Sequence, residues 1–196
     1  KGRPDLSSPD LYEEIKNINY GNLIYKMGLA VMYHLAIDRP EQYRTCFKIL
    51  FDENVSLSNR LNTFNQETLK LYRELEPKLP HHHDERTMAT LLAFKNPDVY
   101  PLYKNSFYKK FCKLLGEKPK RSGEKYAHYI KLVDNFISVY IESDIELIDK
   151  VNSLLPEHAF KDTNHKILAQ DILYRMLDKG IEELEIEDAA VYKLSM

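Results

Sequence analysis

Apolar side chains recur every three or four positions along most of the chain, the spacing that turns one face of an α-helix towards a core. Leu11, Ile15 and Ile18 begin the series. Before them, Ser8-Pro9 reads as a cap followed by proline at the first helical position, and Asp10, Glu13 and Glu14 suit the positive end of a helix dipole. After a break at Gly21 or Asn22, the run LIYKMGLAVMYHLAI predicts a mostly buried helix on Leu23, Met27, Ala30, Val31, His34 and Leu35. Asp38 is placed to cap the next, whose stripe is Tyr43, Phe47, Leu50 and Phe51. A fourth helix is predicted from about Ser58 to Leu75 on Leu61, Phe64, Thr68, Leu71, Tyr72 and Leu75, stopping before Pro77 and Pro80.

The segment EPKLPHHHDER (residues 76–86) is the natural internal boundary, because two prolines, three histidines and mixed charge offer little to a core. Beyond it, Asp84 or Glu85 opens a helix through Met88, Leu91, Leu92 and Phe94, stopped by Asn96-Pro97. Short helical pieces are expected at Val99–Lys104 and Ser106–Leu115, the latter closed by Gly116 as a left-handed cap. Ser122 is then placed to cap a long helix bearing Tyr126, Ile130, Val133, Ile137 and Ile141. Two more follow, Asp144–Leu155 on Ile145, Ile148, Val151 and Leu155, and Asn164–Leu177 on Ile167, Leu168, Ile172 and Met176. Period-two alternation, the mark of a strand, is faint and confined to the terminal ELEIEDAAVYKL.

The fold expected is therefore all-α, an irregular multi-helix bundle of eight to ten helices, either undivided or in two helical subdomains. The division would run 1–79, a loop at 80–84, 85–180, and an acidic linker or tail at 181–196. Composition agrees: only 6 Gly in 196 residues disfavours turn-rich β architectures, and 14 Tyr with 8 Phe disfavour disorder. Cys46 and Cys112 each sit inside an apolar helical pattern without CxxC spacing, so they read as buried free thiols. Few cysteines and no signal-peptide core point to a reducing cytoplasm. No apolar run approaches the roughly 20 residues needed to cross a bilayer. A chain opening at Lys1, with charged sequence at both ends, reads as a piece of a longer polypeptide.

Candidate chemistry is sparse. Zinc sites space His or Cys so that they converge, whereas His81, His82 and His83 are consecutive and read as an exposed loop, so no metal is expected. Neither GxGxxG nor GxxxxGK[ST] occurs, which argues against phosphate loops of those types, and no nucleophile–base signature appears. The segment is expected to be non-catalytic and without a cofactor.

The exception lies between Lys95 and Lys131, where ten Lys or Arg face three acids in a chain of formal net charge −2. Lys109, Lys110 and Lys113 fall within about one helical turn, opposite Phe107, Phe111 and Leu115. Lys118, Lys120 and Arg121 carry the charge through the following loop, with Lys104 before it and Lys125 after it. These eight are the candidate nucleic-acid-binding residues, through backbone phosphates. The nearby aromatics Tyr100, Tyr103, Phe107, Tyr108 and Phe111 offer stacking faces only if exposed, and their helical spacing favours a core role. A surface of this kind equally docks an acidic protein. One such partner is internal, since residues 142–196 hold 13 acids against six bases.

The runs ERTMATLLAFKNPDVYPLYKNSFYKKFCKLLG, GEKYAHYIKLVDNFI and NHKILAQDILYRML resemble a helical region of bacterial McrB-like proteins, the AAA-family ATPases of modification-dependent restriction and phage defence. The resemblance spans about Glu85 to Leu177 and rests on word pattern. The family's Walker and nuclease motifs are missing here, so it implies neither motor nor cutting subunit and carries over no functional residues. It implies an accessory helical region that contributes to DNA engagement or to positioning neighbouring domains of a larger chain. The alternative is a protein-interaction scaffold with a basic docking face and no nucleic-acid contact.

Overall fold

Helix α1 (Leu11–Lys16) begins two residues later than proline suggested. Asp10, not Ser8, caps it by accepting the Glu13 N–H at 3.0 Å. The structure, a computed structural model, describes residues 3–179; the acidic 181–196 segment and its faint alternation lie outside the described residues. Helices α2 (Lys26–Asp38), α3 (Pro40–Phe51) and α4 (Leu57–Leu75) form the first half. After the histidine segment come α5 (Glu85–Lys95), α6 (Asn105–Leu114), α7 (Lys125–Phe136), α8 (Ile145–Leu154) and α9 (Lys166–Lys179). The fold is all-helical: 63% of the described residues are helical, and none of them forms a strand.

The core is one continuous cluster reaching from Leu11 to Leu177. Its centre is the α3–α4 pair, where Tyr43, Phe47 and Leu50 meet Leu61 and Phe64, all fully buried. Burying each such side chain stabilises the fold by about 1.5–3 kcal/mol. Arg60 on α4 is buried too, donating from Nη1 to the Leu50 carbonyl at 3.0 Å and from Nη2 to the Tyr100 hydroxyl at 2.9 Å. That second bond ties the first half to the second.

Several local expectations are corrected. Asp38 ends α2, and the α3 boundary carries no side-chain cap because Pro40, lacking an N–H, is pre-set for the first turn. The buried face of α2 is Gly28, Val31, Met32, Leu35 and Ala36, which leaves Met27 exposed. Residues 99–104 are not helical: Pro101 biases Tyr100 away from helical angles. The predicted long helix breaks at Phe136 into a π-helical turn, Ile137–Ile141, closed by Glu142 N–H to the Ile137 carbonyl at 2.9 Å. Glu124, not Ser122, precedes α7. Helix α9 turns Ala169, Leu173 and Leu177 inward and exposes Ile167, so its buried ridge lies one position round from the predicted stripe. No residue of α8 is fully buried, and Ile145 is 70% exposed, because that helix packs chiefly on the π-helical turn.

The largest correction concerns the histidines. His83 is fully buried, with its Nε2 2.8 Å from the Tyr43 hydroxyl and its Nδ1 2.7 Å from the His81 carbonyl. A carbonyl only accepts, so Nδ1 carries the proton and Nε2 accepts from Tyr43. Both ring nitrogens are thereby satisfied inside an aromatic shell of Tyr43 and Phe64. Burial pushes the His83 pKa down to about 3. His81 stacks on it at 5.3 Å and is half-buried, so the segment read as an exposed loop is built into the core.

Candidate nucleic-acid interface

Helix α6 owes its orientation to Tyr108, Phe111 and Cys112, which are fully buried. Phe107 is half-buried against Tyr174 of α9, with ring centroids 5.1 Å apart. Tyr108 and Phe111 meet Tyr103, Tyr129 and Phe136, and Tyr126 joins through Tyr103, in a largely edge-to-face aromatic lattice. With this face inward, Lys109, Lys110 and Lys113 project from the opposite side and are exposed. Leu115 is exposed rather than buried because the helix has already ended. Gly116, at φ +68°, closes it: its N–H donates to the Lys113 carbonyl, and the Glu117 N–H reaches the Cys112 carbonyl at 2.8 Å.

The following loop is held to the core by one hydroxyl. The Lys120 N–H donates to the Tyr108 oxygen at 2.7 Å, and that hydroxyl lies 2.9 Å from His128 Nδ1. The oxygen accepts from the backbone and keeps its own proton to give, which a neutral His128 can accept at Nδ1. Partial burial, with Lys120 and Lys131 close by, lowers the His128 pKa and favours that state. Burial pushes the Tyr108 phenol up to about 12, so it stays protonated at neutral pH. The side chains of Lys118, Lys120 and Arg121 project from this loop into solvent.

The eight candidate cations fall into three groups. Lys109, Lys113, Lys118 and Lys120 are exposed, with no carboxylate within 4 Å among the described residues. Two have intramolecular partners: Lys110 donates to the Leu177 carbonyl in the last turn of α9, and Arg121 pairs with Glu124 at 2.8 Å. Lys104 and Lys125 stand apart, flanking a cavity at the starts of α6 and α7, and the Lys104 ammonium rests 4.5 Å above the Phe107 ring. That cavity had no signature in the sequence, because its walls come from four separated stretches of chain.

Tyr100, Tyr103, Tyr108 and Phe111 are buried and offer no stacking faces for bases. The arrangement can neutralise phosphates, and of the five aromatics named only half-buried Phe107 keeps part of a face open. Among the described residues no group of three or more His, Cys, Asp or Glu is placed to hold a metal, and no helix is long and apolar enough to cross a membrane. No family model, no curated protein and no solved structure matches the chain. Its class rests on the fold and the site: an all-helical domain with a basic face.

Proposed function

We propose that this is a non-catalytic helical accessory domain whose α6 face and following loop engage the phosphate backbone of DNA. The observation that carries the reading is the set Lys109, Lys113, Lys118 and Lys120, all exposed and all without a carboxylate partner among the described residues. Its place within a McrB-like restriction or defence ATPase rests on the sequence runs between Glu85 and Leu177, and the flanking sequence and neighbouring genes test it directly. Contacts limited to phosphates carry no base information, so the domain supplies affinity and leaves discrimination to other parts of the assembly.

Fluorescence anisotropy with short DNA duplexes tests the reading. The expected Kd is on the order of 10⁻⁴–10⁻⁶ M at physiological salt. Four engaged lysines give a slope of log K against log salt of about −3.6 on duplex, at roughly −0.9 for each phosphate neutralised. Lys109→Glu with Lys118→Glu should weaken binding equally on unrelated sequences. Absence of binding by the wild-type domain at low salt refutes the proposal and leaves the basic face as a dock for an acidic protein.

A further inference from the structure

The cavity beside the basic face measures about 780 Å³ and lies between α4, the histidine segment and the first turns of α5, α6 and α7. This falls within the usual range for a small-molecule pocket, about 300–1,000 Å³. Three cationic residues line it from three elements: Arg86 on α5, Lys104 just before α6 and Lys125 at the start of α7. None has a carboxylate within 4 Å among the described residues. Arg86 donates one N–H to the Asn22 carbonyl, which leaves the rest of its guanidinium fork. Further donors are available from Asn62, Ser106 and Ser122 on the same walls.

Two acids also line the cavity, and both are already engaged. The Asp84 carboxylate accepts the Thr87 N–H at 3.0 Å, capping α5, and that of Glu85 accepts the Tyr126 N–H at 3.1 Å in the first turn of α7. Each negative charge is thus set against the positive end of a helix, which offsets part of it.

We propose that this cavity binds a phosphate monoester, with Arg86, Lys104 and Lys125 as its charge partners. A dianion with three terminal oxygens matches three cations and several neutral donors around a half-open cleft. A backbone diester, carrying one charge, needs only an open surface such as the one on α6. Two sources carry monoester chemistry: the 5′-phosphate end of a nucleic-acid strand, and a small phosphate ester. The site goes beyond the proposed function, because a small ester requires no DNA contact at all.

The test titrates inorganic phosphate at low salt into the wild-type domain and follows backbone amide chemical shifts. A 5′-phosphorylated oligonucleotide and its 5′-hydroxyl twin serve as the other two probes. Phosphate should shift the amides of Asn62, Ser106 and Lys125. Lys104→Gln and Lys125→Gln should each weaken it about tenfold, as loss of one charge-assisted contact does. Lys48→Gln, exposed on α3 and outside both the cavity and the α6 face, should leave phosphate affinity unchanged, and circular dichroism checks that each variant is folded. Tighter binding of the 5′-phosphorylated strand identifies the strand end as the source. Phosphate binding with no difference between the two oligonucleotides identifies a small ester. If phosphate shifts no cavity amide, or both variants bind it like wild type, the proposal falls, whether or not DNA still binds to α6. Phosphate in the cavity without any DNA binding sustains this site and refutes the backbone reading instead.

Discussion

Lowering the pH from 7 to 4.5 should destabilise this fold through one imidazole. His83 is fully buried, its Nε2 accepts from Tyr43 and its Nδ1–H is held by the His81 carbonyl, so a second proton on Nε2 would displace the Tyr43 hydroxyl proton and place a cation in the core. Tyr43 and Phe64 surround the ring and His81 stacks upon it, so no carboxylate from these neighbours compensates a cation. Burial lowers its folded pKa from the ordinary 6.5 to about 3. The unfolded chain takes up the proton below 6.5 while the folded chain resists until about 3, so stability is full above 6.5 and is lost as pH falls between those values. Each unit in that window costs about 1.4 kcal/mol, so pH 4.5 removes roughly 3 kcal/mol, a large share of a typical domain's 5–15 kcal/mol. Urea unfolding of wild type and His83→Gln at both pH values isolates this effect, since the carboxylates titrate alike in both proteins. The variant should start less stable at pH 7 and lose about 2–3 kcal/mol less than wild type on acidification. Equal losses, within about 0.5 kcal/mol, would refute the buried neutral imidazole.

Burial pushes the Cys46 thiol up to about 11 and also raises that of Cys112, so native protein at pH 8 should resist an aromatic disulfide reagent while urea-unfolded protein reacts at both residues. Rapid labelling of either cysteine in the native state would show that its helix opens. Lys109→Glu should stabilise α6 by about 0.5 kcal/mol, since a repulsive i,i+4 pair with Lys113 becomes attractive, and should weaken DNA binding at the same time. A loss above about 1 kcal/mol in urea titration would make Lys109 a structural residue.

What could be read from the sequence was whatever repeats locally. The α4 stripe Leu61, Phe64, Thr68, Leu71 and Tyr72 is buried as expected, because a 19-residue amphipathic helix repeats its signal over five turns. Gly116 was legible for a similar reason, since a glycine after an apolar run is the usual end of a helix. His83 was not legible. Polarity and flanking prolines argue for a loop, and only the hydroxyl of Tyr43, forty positions earlier, makes its burial affordable. The outward lysines of α6 were visible as a pattern, yet their partners were not: the carbonyl that holds Lys110 belongs to α9, 67 residues away. The cavity was invisible for the same reason, as Arg86, Lys104 and Lys125 share no local spacing.

The formal net charge of −2 suggests weak affinity for phosphates, but net charge is the wrong quantity at this surface. Exposed charges more than about 8 Å apart are largely screened at physiological ionic strength, so the field at α6 is set by its immediate neighbours. Around that face the structure engages acids and bases alike. Glu124 is engaged by Arg121, and Glu85 lies buried against the α7 backbone. Lys109, Lys113, Lys118 and Lys120 remain without such compensation among the described residues. Their arrangement is not a stability device, since Lys109 and Lys113 sit one turn apart and repel by about 0.2–0.5 kcal/mol. Nor does it serve packing, because the aromatic lattice on the inner face of α6 already fixes the helix. A row of cations that costs the fold a little, and that packing does not require, is what a phosphate-binding surface needs. The hydroxyl of Tyr108, which holds the loop at Lys120, sets where that row ends.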